Sequence, residues 1–362
     1  MPEKLITKYF NIHNLVGIKI QSYLRSKIGE VRYHVREFEE PYLSENAIDI
    51  FVYDYSECPV FKNSTVLSNY YYYSDNYLNI PAERLCFNFI DFPFVIYCDR
   101  FRIPLNFLVE LVLLRKGYSL IHAAAVEYRG ENYLFPAFGG VGKTTTVASI
   151  IFSGGKLFGD DMIIIKGQKI FSYPMDFSVY PYHLDILKIK DKKIKYQFLK
   201  TKILNSLTEK LKNYDFKVIK LLILILNLLK VPYVNVSPKK IFGENCIVEK
   251  GQIYEIYYLR RTENDTPQII VESIDSNKLA EICTNTILQE WHQPMAILYT
   301  YSGLTSFSLH SLFCKIRDIF IQTFRDYECY QIKIPNNLDN LTYQKQLISL
   351  LSNEPKRVFS KT

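Results

Sequence analysis

Apolar residues along this chain recur at two different spacings, and each change of spacing marks an element. Leu105, Leu108, Val109, Val112 and Leu113 fall on one face of a helix. Pro104 suits the first turn of that helix and Gly117 its stop, so the spacing predicts a helix over 104–115. The continuous apolar run 119–128 predicts a buried strand. Arg129-Gly130-Glu131-Asn132 predicts a turn, and 133–136 a second strand. A glycine-rich loop follows, then a helix over 144–152 that Gly154-Gly155 stops. Short strands are expected at 156–158, 162–165 and 170–173, with Gly159-Asp160-Asp161 between the first two. This order puts the glycine loop and the aspartates at neighbouring strand ends.

Residues before this stretch read as strand and loop, with apolar runs at 47–55, 84–90 and 93–98. Residues 185–230 are lysine-rich and then aliphatic, and read as two or three helices. Beyond them come strands at 253–260 and 268–274, a helix at 276–289, and a closing mixture of helix and loop. The polar tail after Asn353 is expected to fray. The resulting division is a β-rich N-terminal lobe over 1–103, an α/β core over 104–290 with a helical insertion at about 185–232, and a mixed, largely helical region over 291–362.

Composition narrows the class. The chain has 362 residues, 48% hydrophobic and 22% charged, which is the range of a folded globular protein. Its net charge of +7 suits anionic substrates, but is equally the mark of a lysine-rich composition. No basic, aromatic-interleaved surface points to nucleic acid. The seven cysteines never fall at C-x-x-C spacing, which argues against zinc and for reduced thiols in the cytoplasm. Met1-Pro2-Glu3-Lys4 opens no apolar leader. The aliphatic run 221–229 is far shorter than the ~20 residues of a spanning helix, and reads as a buried helix. A partner-facing or membrane-surface helix is the alternative.

The chemistry concentrates in Ala137-Phe138-Gly139-Gly140-Val141-Gly142-Lys143-Thr144. Phosphate needs several backbone N–H groups converging on one anion. Glycines let the chain curl into that nest, and the following helix adds its positive end. Phe138, Gly139, Gly140, Val141, Gly142, Lys143, Thr144 and Thr145 therefore form the candidate nucleotide site. Lys143 would meet the terminal phosphates and Thr144 a Mg²⁺ ion. Ala137 stands where the full pattern has its first glycine, leaving Gly139 and Gly140 to make the turn. A glycine loop that merely ends a strand is the plain alternative.

Asp160 and Asp161 form the second constellation. Two adjacent acids near bound phosphate can supply a metal ligand and a general base, and each raises the other's pKa. Gly-Asp-Asp is also ordinary turn chemistry. His122 lies in the strand run Leu120-Ile121-His122-Ala123-Ala124-Ala125, either as a satisfied core residue or beside the site.

Together, Leu120 to Val126, Gly140-Val141-Gly142-Lys143-Thr144, Gly154-Gly155 and Gly159-Asp160-Asp161 resemble the catalytic domain of the HPr kinase/phosphorylase family. More loosely they resemble the ATP-binding core of phosphoenolpyruvate carboxykinases. The resembling stretch is about 117–175. The likeness implies a P-loop kinase core, ATP and Mg²⁺, and His122 beside the transferred phosphate. It also implies that one of Asp160 and Asp161 takes the substrate proton while the other assists metal binding or orientation, with Asp160 favoured as the base and Asp161 on the metal side. Arg261 could reach the γ-phosphate from its strand, or simply face solvent. Because Ala137 departs from the pattern, and neither the family's later motif nor its N-terminal domain is recognisable, the chain looks like a divergent member that does not act on HPr. Its acceptor would be a serine-type hydroxyl on a peptide, protein or small molecule, and its relatives are often homo-oligomers. Two other classes stay open. One is a nucleotide-binding regulatory or scaffold protein without transfer activity. The other is a membrane-surface module using the lysine-rich segment 188–217.

Overall fold

The computed structural model describes residues 4–61, 65–68, 71–211, 224, 226, 232–263 and 266–352. Apart from 224 and 226, the aliphatic run 221–229 lies outside the described residues, as does the tail after Asn353. The fold is mixed α/β. One compact unit is Met1–Met175 with Ile247–Thr362, and a second is Asp176–Cys246.

The larger unit holds two mixed nine-stranded sheets. The first runs Glu39–Glu40, Ile6–Ile12, Val16–Ser22, Ile50–Tyr53, Phe94–Cys98, Leu85–Asn88, Tyr77–Ile80, Tyr71–Ser74, Thr65–Ser68. Its strands fit a half-covered sheet: Ile50 and Val52 are buried while Phe51 and Tyr53 are only partly so. Helix Arg25–Val35, absent from the strand-and-loop expectation, packs on the first two long strands through Ile28, Val31 and Val35. Lys27, on the same helix, is enclosed with Asp54.

The second sheet runs Lys250–Gln252, Lys169–Phe171, Met162–Lys166, Ser119–Tyr128, Glu131–Pro136, Glu255–Thr262, Cys329–Pro335, Ile270–Ile274. Lys156–Gly159 joins beside Ser119–Tyr128. Arg129 and Gly130 both take positive φ, +55° and +85°. Such a two-residue turn matches the twist of the strands it joins, so Glu131 and Asn132 open the next strand rather than extend the turn. Cys329–Pro335 corrects the helix-and-loop expectation for 291–362. It pairs parallel to Glu255–Thr262 and antiparallel to Ile270–Ile274. Its crossover from Glu255–Thr262 contains the helices Ser276–Glu290, Met295–Leu304 and Leu309–Phe324.

Helix Leu105–Arg115 starts at its expected position, but it buries every residue from Leu105 to Leu114 rather than one face. Strands Ser119–Tyr128 and Val16–Ser22 and helices Arg25–Val35 and Leu309–Phe324 all pack on it. Its Glu110 carboxyl group, fully buried, accepts hydrogen bonds from Ser119 Oγ and the Leu120 N–H, both 2.6 Å.

Strand pairing positions the candidate site. Lys156–Gly159 runs antiparallel along Ala125–Glu127, and Met162–Lys166 continues antiparallel along Ser119–His122. Asp160 and Asp161 occupy the interruption between these two segments, beside His122. Glu131–Pro136 lies on the other side of the same strand, so the loop and the aspartates flank His122. The corner before Lys156 is tight: a Cβ on Gly155 would lie 2.6 Å from Glu127 O and 2.7 Å from Ile150 Cγ2.

The smaller unit contains the antiparallel pair Phe177–Val179 and Val234–Val236 and the helix Lys192–Leu211. Its short helix Pro238–Phe242 is capped by Ser237, whose side chain accepts from the Lys240 N–H. Among the described residues, no helix is long and apolar enough to cross a membrane.

Candidate functional site

The loop leaves the sheet at Ala137, which still bridges to Leu259 in parallel register and is buried. Ala137 does not take positive φ, so alanine there carries no backbone strain. Gly139 and Gly140 make the turn, as expected, with Gly140 at φ +76°, and Gly142 at φ +121° leads into the helix. Helix Lys143–Ile151 starts directly from Gly142, whose carbonyl accepts the Thr146 N–H at 2.9 Å. The first-turn N–H groups of such a helix have no intrahelical partner and face the loop. Phe138, Gly139 and Gly140 are exposed, while Val141, Gly142, Thr144 and Thr145 are half-buried and Lys143 is buried. Thr146 Oγ1 lies 2.7 Å from the Tyr343 hydroxyl, which ties helix Asn340–Ser352 to the loop helix.

Five of the expected residues converge. Lys143 Nζ lies 2.8 Å from His122 Nε2 and 3.6 Å from Asp161 Oδ1. Asp161 Oδ1 is itself 2.9 Å from His122 Nε2. On the other side of the pair, the Thr144 hydroxyl donates to Asp160 Oδ2 at 2.8 Å. Arg261 is also brought to the loop, donating from Nε to the Val141 carbonyl at 3.0 Å and from Nη1 to the Pro335 carbonyl at 3.2 Å. Its guanidinium thus grips the loop backbone rather than the aspartates.

The histidine contacts conflict. A protonated Nε2 donates to Asp161 and meets Lys143 donor to donor. An unprotonated Nε2 accepts from Lys143 and turns a lone pair to the carboxylate. Neither state satisfies both neighbours. An anion that draws Lys143 away resolves the conflict and leaves His122 to Asp161. Among the described residues, His122 Nδ1 and Asp160 Oδ1 are buried without a hydrogen-bond partner. Buried polar atoms in that condition are uncommon, and a water, an ion or a ligand group would satisfy them.

Burial pushes Asp160 up to about 7, helped by the charge on Asp161 and opposed by Thr144 and Lys143. Burial pushes Asp161 the same way, but the His122 hydrogen bond and the Lys143 charge outweigh it and hold this carboxyl well below the usual range. The two neighbours therefore separate into a carboxyl close to neutrality and one that stays ionised. This is the division that acid–base chemistry requires.

A divalent ion fits the donor set. Thr144 and the two aspartates offer hard oxygen atoms, one of them the unpartnered Asp160 Oδ1. Among the described residues, no three His, Cys, Asp or Glu side chains group as a metal shell. Mg²⁺ takes one or two carboxylates and fills its shell with phosphate oxygens and water.

Two participants were not anticipated. Glu290, the last residue of helix Ser276–Glu290, places Oε1 3.8 Å from His122 Nε2. His34, on helix Arg25–Val35, is lowered to about 4 by burial, while the charge on Asp161 pulls it upward. Nothing local in the sequence marks either one: Glu290 arrives on a helix that packs on Ser119–Tyr128, and His34 on the helix that covers the first sheet.

No family model matches the chain. No curated protein matches it. Among solved structures, the Hpr(Ser) kinase/phosphatase from Coxiella burnetii matches over 64% of this chain and 96% of its own, at 9% identity and a TM-score of 0.30.

Proposed function

We propose that this chain is an ATP- and Mg²⁺-dependent phosphotransferase with an HPr-kinase-like P-loop core, transferring the γ-phosphate to a serine-type hydroxyl on a peptide, protein or small molecule. The observation that supports this is the meeting of Lys143, Thr144, His122, Asp160 and Asp161 at one end of a glycine loop that opens a helix. The loop N–H groups and Lys143 would hold the phosphates. Thr144 and the ionised Asp161 would face Mg²⁺, which when bound neutralises phosphate charge. Asp160, near neutrality, would take the proton of the acceptor hydroxyl as that oxygen attacks the γ-phosphorus and ADP departs. His122 would keep its Nε2 proton on Asp161 once Lys143 has turned to the phosphate.

The deciding experiment measures acceptor-dependent ADP formation in wild type, Lys143→Ala and Asp160→Asn, with folding checked by circular dichroism. Both variants should stay folded and lose transfer. Wild-type rates in both would end the proposal. Tight ATP binding with no ADP formed from any hydroxyl acceptor would favour the regulatory alternative.

A further inference from the structure

A helix on a protein surface ordinarily turns polar residues outward. Helix Lys192–Leu211 of the smaller unit does not. One side of it buries Ile194, Phe198 and Leu204. On the opposite side Tyr196, Leu199, Ile203 and Leu207 are 68%, 55%, 53% and 45% exposed. Steps of three, four and four residues set these four side chains in one stripe, about a quarter-turn wide and about 16 Å long. Exposed lysines border the stripe on both edges, Lys193 and Lys200 along one and Lys195 and Lys202 along the other. We propose that this stripe seats the smaller unit on an anionic lipid surface, with its apolar side chains in the bilayer interface and the flanking lysines at the headgroup phosphates.

Charge decides the occupant. The helix carries six lysines against a single carboxylate, Glu209. A second copy packed about a two-fold axis would lay the stripe on itself and bring lysine edges against lysine edges, which is repulsive. The surface that meets this helix must therefore be negative.

Residue type favours lipid over an acidic protein. Protein interfaces enrich arginine and deplete lysine at their centres. The helix has no arginine, and its stripe is mostly aliphatic. Lysine instead lays its methylene stem along apolar surface and carries its ammonium up to the headgroups. Lysine edges beside an apolar face are the composition of helices that lie in the plane of a membrane surface. The sequence beyond the helix repeats the combination, in the aliphatic run 221–229 bordered by Lys217, Lys220 and Lys230.

The test is flotation of the full chain at low salt with vesicles of phosphatidylcholine alone or with 30 mol% phosphatidylserine, folding being checked by circular dichroism. Wild type should bind the anionic vesicles at least ~10-fold more tightly than the neutral ones. Lys193→Gln with Lys200→Gln should lose about fivefold in affinity per lysine. Leu199→Gln with Ile203→Gln should lose at least ~10-fold. Lys315→Gln, exposed on helix Leu309–Phe324, should bind as wild type does. Absence of binding to anionic vesicles overturns the inference, as does equal binding to neutral ones or wild-type binding by both double variants. Retention on polyglutamate without vesicle binding overturns it in favour of an acidic protein. A dimer that the Leu199→Gln, Ile203→Gln variant dissociates, again without vesicle binding, overturns it in favour of a second copy.

Discussion

On the helix that packs on the N-terminal sheet, the ammonium of Lys27 is completely enclosed, yet it has its partners: Asp54 Oδ1 at 2.6 Å and the Cys98 carbonyl at 2.7 Å. Asp54 in turn accepts from Ser22 Oγ and the Tyr23 N–H. In the second sheet, Asp160 keeps a buried oxygen with no partner among the described residues, and one nitrogen of His122 is contested by a cation and an anion. Both regions draw charge away from solvent, completely at Lys27 and partly at Asp161, whose side chain is 44% exposed. Only the first satisfies it. The paired charge of Lys27 fits an architectural role, whereas the underpaired groups at Asp160 and His122 are where the proposed function would put a ligand.

Four experiments break or sharpen this contrast. The largest effect is expected at Asp160→Asn, which should lower kcat by about 10²–10⁴-fold. Its thermal midpoint should nonetheless hold or rise, because the substitution removes a poorly compensated carboxylate. A drop of many degrees would place Asp160 with Lys27 as an architectural residue. Next is Lys27→Ala, which strands Asp54 in the interior and should destabilise the fold by about 3–5 kcal/mol in denaturant titrations. A loss near zero would undo the contrast from the other side.

Glu110 lies between the two cases, since it is neutral rather than paired. Burial raises it from 4.5 to about 8, against the pull of its bonds from Ser119 and Leu120. Its folded form therefore keeps a proton that the unfolded chain releases. The contribution is greatest below about pH 4.5 and is lost as pH rises towards 8. Glu110→Gln should flatten that part of the stability profile; an unchanged slope would show that Glu110 is not its source. The smallest effect belongs to Glu290→Gln. At 3.8 Å from His122 and 40% exposed, its charge should change kcat/KM by no more than about fivefold. A loss as deep as that of Asp160→Asn would move Glu290 into the chemistry itself.

Legibility followed the range of the interactions. The helix starting after Pro104, the strand Ser119–Tyr128, and the loop-to-helix switch rest on local pattern, and they appear within a residue or two of their expected bounds. Strand Cys329–Pro335 was also written locally, since Tyr330, Ile332 and Ile334 alternate with Gln331 and Lys333. Its short length within helix-rich sequence hid it. Helix Arg25–Val35 spaces Ile28, Val31 and Val35 correctly but sits among strands. Glu290 and His34 could not have been read, because each reaches the candidate site from a different helix remote in sequence.

The corner at Gly155 has one further effect. With Glu127 O and Ile150 Cγ2 already where a side chain would go, the return from helix Lys143–Ile151 to strand Lys156–Gly159 follows the shortest available route. The stretch from Thr144 to Asp160 thereby works as a caliper, its jaws set by the number of residues in between. Adding one residue at the corner would open the jaws and part the hydroxyl from its carboxylate, with both side chains left chemically untouched.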